Sequence, residues 1–295
     1  MVPGFEGSGV VVAAGRGFMA RRLLGKRVAV AVQGDEGTWQ QYLIMPAMRC
    51  ITLQDQVTTE QGASLFINPL TAYALLDKAR REKHRAVVQT AAASALGQMI
   101  IRLGRSRSIP VVNVVRRQEQ VDLLRDLGAE HVLNSSDPDF DQALRGTCAE
   151  LGATLALDAL GGEMTGRLLS ALPAGGCVTV MGNLAGEPCC GLDPDDLVFN
   201  AKRLDSFWLT RWIEEQNVLR FLRTIGKVQK LLGADLATPV RARLSLDEAV
   251  AGLQAYQSHM TGGKVLLLPQ RRATARAASG EEGSAGATAS AAAVA

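Results

Sequence analysis

Apolar and polar positions follow two rhythms along the chain. Up to residue 67, short β-branched runs are cut by glycine-rich turns. Val10-Val11-Val12 follows the turn-rich Val2-Pro-Gly-Phe-Glu-Gly-Ser-Gly. Residues 25–32 read as a turn and a strand, and 38–44 as a further short strand closed by Pro46. Close-spaced strands of this kind predict a small antiparallel β-rich unit. Residues 57–61 predict a helix entry, with Thr58 or Thr59 as N-cap before Glu60.

From Asn68 the rhythm changes to alternating helix and apolar strand. Helices are predicted over 70–79, 97–105, 118–127, 140–147 and 162–172, and strands over 86–90, 110–115, 131–133, 155–158 and 177–181. Gly128 supplies a C′ residue for the third of these helices. Fully apolar strands alternating with helices predict a parallel sheet covered on both faces, the doubly wound α/β (Rossmann) architecture. Beyond it, 213–232 reads as helix, 241–244 as strand, 246–258 as helix and 265–268 as strand. The resulting division is 1–67, a partial β-rich catalytic domain; 68–205, a dinucleotide domain; 206–270, a return to the first domain; and 271–295, a tail. That tail holds 11 Ala and three Gly with no aromatic residue, too little apolar surface to offset the entropy of ordering, so it is expected to be disordered.

Chemistry enters at the first strand-to-helix turn of the α/β part. The segment Thr90-Ala-Ala-Ala-Ser-Ala-Leu-Gly97 follows a strand and opens a helix, where free N–H groups and the positive dipole end suit a pyrophosphate. Small residues let the backbone approach phosphates. Against the glycine fingerprint the pattern is Ala92-x-Ser94-x-x-Gly97, with only the last glycine kept, so a plain small-residue turn fits it equally well. The end of the next strand carries Arg116-Arg117 where NAD-binding units place an acid. Guanidiniums offer bidentate donors to a 2′-phosphate, whereas an acid would repel it. That favours NADP(H) over a merely solvated basic turn.

Composition removes other classes. Net charge is +3 from 32 basic and 29 acidic residues, too balanced for a protein that binds nucleic acid by phosphate neutralisation. No apolar run approaches the roughly 18 residues of a membrane span. The cysteines, Cys50, Cys148, Cys177, Cys189 and Cys190, show no CxxC spacing, and His84, His131 and His259 form no zinc motif. Reduced thiols, an intracellular protein and no metal site are expected. No signal peptide is visible, and the chain reads as beginning inside a domain.

Val2-Pro-Gly-Phe-Glu-Gly-Ser-Gly, Gly25-Lys-Arg-Val, Asn68-Pro-Leu-Thr-Ala-Tyr73, Leu127-Gly-Ala-Glu-His-Val132 and Gly262-Gly-Lys-Val265 together resemble the medium-chain dehydrogenase/reductase superfamily. They span residues 2 to about 268, almost all of the chain before the tail. Phe5 stands where zinc-dependent members carry a His ligand, and the four-cysteine zinc loop is absent, so the zinc-free branch of quinone oxidoreductases and 2-enoyl thioester reductases is the nearer likeness. Phe207-Trp-Leu-Thr-Arg-Trp212 and Asn113-Val-Val-Arg116 are most similar to mitochondrial-type 2-enoyl thioester reductases.

The resemblance implies a GroES-like catalytic domain beside the Rossmann domain. It implies NADPH-dependent reduction of an activated C=C bond in a small-molecule enoyl thioester of fatty-acid metabolism. A quinone or alkenal oxidoreductase, or a non-catalytic NADPH-binding remnant, are its alternatives. It also implies a homodimer and a cytoplasmic or mitochondrial location. The family's proton-donating Tyr falls upstream of the stretch matching Val2, so no catalytic residue is named in this sequence. Cofactor contacts carry over by motif to Asn68, to Ala93, Ser94, Ala95, Leu96 and Gly97, and to Arg116 and Arg117. They carry over likewise to Met181, Gly182, Asn183 and Leu184, to Phe207, Trp208, Leu209 and Thr210, and to Lys264. The family's second basic residue lies one place later, at Gln118, which weakens Arg117 relative to Arg116. Without the family likeness, Phe207 and Trp208 would read as core and Lys264 as a solvated lysine.

Overall fold

A computed structural model describes residues 2–32, 34, 36–258, 263–269 and 291–293. The chain forms two compact units, Met1–Ile67 with Lys227–Ala295, and Asn68–Gly226.

The first unit opens with β1 (Glu6–Val10), α1 (Phe18–Leu23), β2 (Arg27–Ala31), a 3-10 turn at Ala47–Arg49, β3 (Ile51–Thr52) and α2 (Thr59–Gly62). Thr58 is the N-cap of α2. Its Oγ1 accepts from Gln61 N at 3.2 Å, and Gln61 Oε1 accepts from Thr58 N at 2.8 Å, a complete capping box. The strand expected over 38–44 does not form. Thr38 N and Trp39 N donate instead to Gly4 O and Pro3 O, at 3.1 and 3.0 Å, and Thr38 Oγ1 donates to Glu6 O at 2.8 Å. Those bonds hold a loop rather than a ladder; burial of Gly37 and Thr38 beside half-buried Trp39 and Gln40 imitates a strand pattern.

Helix α3 (Ile67–Arg81) leads into the second unit. There β4 (Ala86–Gln89), α4 (Ala95–Ser106), β5 (Val111–Val115), α5 (Gln118–Asp126) and β6 (His131–Asn134) form its first half. The second half comprises α6 (Phe140–Leu151), β7 (Ala153–Asp158), α7 (Glu163–Ala171), β8 (Cys177–Val180), α8 (Pro194–Val198), β9 (Arg203–Ser206) and α9 (Leu209–Glu214). The strands make one parallel sheet in the order β6-β5-β4-β7-β8-β9. Its core includes Val88, Val112, Val114, Ala156 and Val178 from the strands and Phe140, Leu144, Leu168 and Leu169 from helices, all at or below 1 % exposure. Each such Leu or Phe contributes roughly 1.5–3 kcal/mol by leaving water. The chain runs β4 to β6 outward on one side and β7 to β9 on the other, so the order reverses between β4 and β7. Open α/β sheets bind ligands at that reversal, beyond the carboxyl ends of the strands.

The helix expected over 213–232 is two helices, α9 and α10 (Val218–Leu231). Asn217 divides them; its Oδ1 accepts from Arg220 N at 2.8 Å, which starts α10 afresh. The first unit is completed by β10 (Val240–Leu244), α11 (Ala249–Ser258), β11 (Lys264–Leu267) and β12 (Ala291–Ala293), giving a sheet in the order β10-β11-β12-β1-β2-β3. At 291–293, within the tail expected to be disordered, the structure has the strand β12: Glu6 pairs with Ala293 and Ser8 with Ala291, while Leu266 pairs with Ala293. Two flanking strands supply the backbone partners that its alanine side chains cannot compensate for. The rest of the tail, 271–290 and 294–295, lies outside the described residues, as does Gly262. No helix among the described residues is long and apolar enough to cross a membrane.

Candidate cofactor site

The sheet reversal gathers most of the residues singled out above. β4 ends at Gln89, and the chain turns sharply through Ala91, whose φ of +49° lies in the left-handed region that a Cβ disfavours. Ser94 is the N-cap of α4, its Oγ accepting from Gly97 N at 3.1 Å. The first turn of a helix has no intrahelical acceptors for its N–H groups, so those of Ala95 and Leu96 remain for a bound anion. A Cβ at Gly97 would lie 2.3 Å from Ala92 O and 2.6 Å from Ala92 C. Only glycine lets the helix start this close to the loop, and the loop is thereby kept tight enough to cradle phosphates.

Buried amides beneath the loop hold it there. Gln89 Nε2 donates to Gly97 O at 3.0 Å and to Asn113 Oδ1 at 2.7 Å. Asn113 Nδ2 donates to Val111 O and His131 O, at 2.9 and 3.0 Å. Gln98 Nε2 donates to Ala93 O at 3.0 Å. Three strands and the first turn of α4 are thus locked by side chains that the sequence marks only as polar residues inside apolar runs.

Arg116 and Arg117 follow β5 directly and are exposed. Arg116 N donates to Gln120 Oε1 at 3.2 Å, and Arg116 O accepts from Ser136 Oγ at 2.9 Å, so the backbone is fixed while the guanidinium stays in solvent. Arg117 is the N-cap residue of α5.

At the other side of the reversal, Met181 N donates to Asp158 O at 2.8 Å, continuing β8 along β7. Gly182 and Met181 are half-buried, and Asn183 and Leu184 are exposed. Phe207 N donates to Val180 O at 2.8 Å, which places Phe207 beside the end of β8. Its ring meets Trp212 at 6.5 Å between centroids, whereas Trp208 is 63 % exposed. Leu209 and Thr210 form the half-buried start of α9. Asn68 lies half-buried in the first turn of α3.

Lys264 belongs to the other unit and is 2 % exposed, with Nζ 2.6 Å from Glu6 Oε1. Glu6 Oε2 accepts from Phe66 N and Ile67 N, at 3.0 and 2.9 Å, and so caps the start of α3. Phe5, which the resemblance matches to a zinc-ligand position, is 61 % exposed. Among the described residues, no group of three or more His, Cys, Asp and Glu side chains could hold a metal ion.

The chain is similar to several known proteins. The family described as zinc-binding dehydrogenase matches residues 95–224. The bovine mitochondrial enoyl-[acyl-carrier-protein] reductase is 28 % identical over 275 residues, covering 90 % of this chain and 72 % of that protein. A Mesorhizobium loti protein assigned as an NADPH:quinone reductase superposes with a TM-score of 0.83 at 36 % identity, covering 89 % of this chain and 76 % of that one. A mycobacterial protein solved in complex with NADPH gives a TM-score of 0.74 at 25 % identity, covering 90 % and 82 %.

Proposed function

Because the chain belongs to the zinc-free branch of the medium-chain dehydrogenase/reductase superfamily, we propose that it is an NADPH-dependent reductase of an activated C=C bond, a 2-enoyl thioester by first choice. The observation that carries this reading is the sheet reversal. A loop closed by Gly97, a capped helix start and two exposed guanidiniums all lie at the carboxyl ends of adjacent parallel strands.

NADPH, when bound, supplies the hydride that a β-carbon conjugated to a carbonyl accepts. The residues at hand fit that cofactor. Ala95 and Leu96 N–H groups and the dipole of α4 receive the pyrophosphate. Arg116, with Arg117, receives the 2′-phosphate in charge-assisted hydrogen bonds. Met181 to Leu184 and Phe207 to Thr210 line the nicotinamide end, and Asn68 completes it. Zinc has no part in this scheme, and the substrate is a small molecule.

A charge-assisted hydrogen bond is worth about 1.5–3 kcal/mol, which is about tenfold to over a hundredfold in affinity. NADPH is therefore expected to bind at least about tenfold more tightly than NADH in a fluorescence titration, with Arg116→Ala removing most of the difference. Equal affinities for the two would sink the 2′-phosphate assignment.

Reduction of a quinone is the second reading, favoured by the likeness to the Mesorhizobium loti protein. NADPH oxidation followed with a medium-chain 2-enoyl-CoA beside a simple quinone separates the two. The mitochondrial names of the curated relatives favour a mitochondrial over a cytoplasmic location.

A further inference from the structure

One fully buried carboxylate joins the cofactor loops without belonging to any of them. Asp158 ends β7 and is 0 % exposed. Its Oδ1 accepts from Thr90 Oγ1 at 3.1 Å, Leu160 N at 2.9 Å and Gly161 N at 3.4 Å; its Oδ2 accepts from Thr165 Oγ1 at 2.6 Å. Every one of these partners is neutral. A buried carboxylate without a cation costs several kcal/mol unless its lone pairs are filled, and here four donors fill them.

Both threonine hydroxyls donate to Asp158, Thr90 Oγ1 to Oδ1 and Thr165 Oγ1 to Oδ2. Thr90 opens the phosphate loop, and its Oγ1 also accepts from Ala159 N at 2.8 Å. Its hydroxyl is therefore used on both sides and acts as a strut. The turn after β7, held by Asp158, carries the loop after β8: Leu184 N donates to Ala159 O and Ala185 N to Leu160 O, both at 3.0 Å. The Asp158 carbonyl takes Met181 N. One residue thus touches the phosphate loop directly and the 181–185 loop through its own backbone and the turn it holds.

We propose that Asp158 is a positioning residue for the cofactor, setting the phosphate loop and the 181–185 loop relative to each other by accepting hydrogen bonds rather than by its charge. The proposal rests on the NADPH reading above. Asn in its place can keep an oxygen toward Thr90, Leu160 and Gly161 while its amide donates to Thr165, whereas Ala leaves all four donors empty.

The test is NADPH titration of the full chain, with thermal midpoints recorded for each variant. Asp158→Asn is expected to bind within about fivefold of the unaltered chain and Asp158→Ala more than about fivefold more weakly. Thr90→Val, nearly isosteric, removes the strut to both Asp158 and Ala159 N; it is expected to follow Asp158→Ala and serves if Asp158→Ala does not fold. Thr165→Val removes the Oδ2 donor but leaves the Oδ1 bonds to Thr90, Leu160 and Gly161 that tie the loops, so its midpoint falls while its affinity stays.

Unchanged affinity in Asp158→Ala, or in Thr90→Val where the former does not fold, overturns the proposal. So does an Asn variant as weak as Ala, or an affinity loss in Thr165→Val matching the other variants, which would reduce the role to general stability. An unaltered chain that binds no NADPH overturns the cofactor reading itself, a result seen before any variant is made.

Discussion

At the scale of single residues, the readable positions were those whose role depends on neighbours in sequence. Gly97 and Arg116 sit at fixed offsets from a strand end, Gly97 in the first turn of α4 and Arg116 directly after β5. Asp158 and Lys264 were different. Asp158 reads as the last residue of an apolar run, and its link to Thr90 spans 68 positions. Lys264 meets Glu6 across 258 positions, so nothing local distinguishes it from a solvated lysine. Family likeness pointed Lys264 at the cofactor; the pair with Glu6 gives its ammonium a structural task. Removing one partner of a buried ion pair strands the other, at about 3–5 kcal/mol. Lys264→Met should therefore lower the stability of the protein by about 3 kcal/mol in denaturant unfolding, with most of the loss regained in Glu6→Gln/Lys264→Met. NADPH affinity in the folded Lys264→Met protein should change less than about threefold; a larger change would return Lys264 to the cofactor.

Elements were legible where their pattern was amphipathic or wholly apolar. The strands β4, β5, β7 and β8 are buried on both faces and read as apolar runs. β9, Arg203–Ser206, is exposed throughout and carries no such signal in the sequence. Helix α3 runs from Ile67 to Arg81, longer at both ends than the 70–79 its apolar spacing predicts, and a charged turn follows. Lys78 pairs with Glu82 at 2.9 Å and with Asp205 at 3.0 Å, and His84 Nδ1 lies 2.8 Å from Thr154 Oγ1.

Burial lowers the pKa of His84 from its usual 6.5, outweighing the pull of Glu82. For Glu82 and Asp205 burial acts upward, but the Lys78 hydrogen bonds and charge prevail and both are lowered. The signs agree. Each group binds protons more readily when unfolded, so each contributes stability that is present above its unfolded pKa and lost as pH falls through its folded one. His84 acts first, from about pH 6.5 downward, and the carboxylates follow below about pH 4. The thermal midpoint should therefore decline between pH 7 and 5, and His84→Gln should flatten that stretch while leaving the decline below pH 4. An unaltered slope in His84→Gln would remove this histidine from the account.

For the whole molecule, the order of a β-rich part, an α/β part and a return to the first was visible from the change in hydrophobic period. The strand that β12 adds was not, because Ala291–Ala293 has neither β-propensity nor apolar weight and is specified only by the partners on either side. Among the described residues no strand lies beyond β9, the last of the parallel sheet, and natural proteins cover or blunt such edges. Lys78 and Asp205 place charge beside it, yet Leu204 is 41 % exposed, and Val198 and Phe199 just before it are 69 % and 79 % exposed. The homodimer that the family likeness implies can use this edge: apolar surface of this kind beside it suits a second copy of the same chain, whose β9 would continue the sheet across a two-fold axis. A dimer of twice 31.3 kDa, about 63 kDa, is therefore expected by light scattering after gel filtration. Phe199→Asp combined with Leu204→Glu puts like charges on both sides of that axis at once and should shift the population to monomer at micromolar concentration. Because these side chains are already exposed, the monomer should keep its fold and its affinity for NADPH. A variant that remains dimeric would move the interface away from β9, and an unaltered chain that runs as a monomer would leave the edge to be blunted by its charges alone.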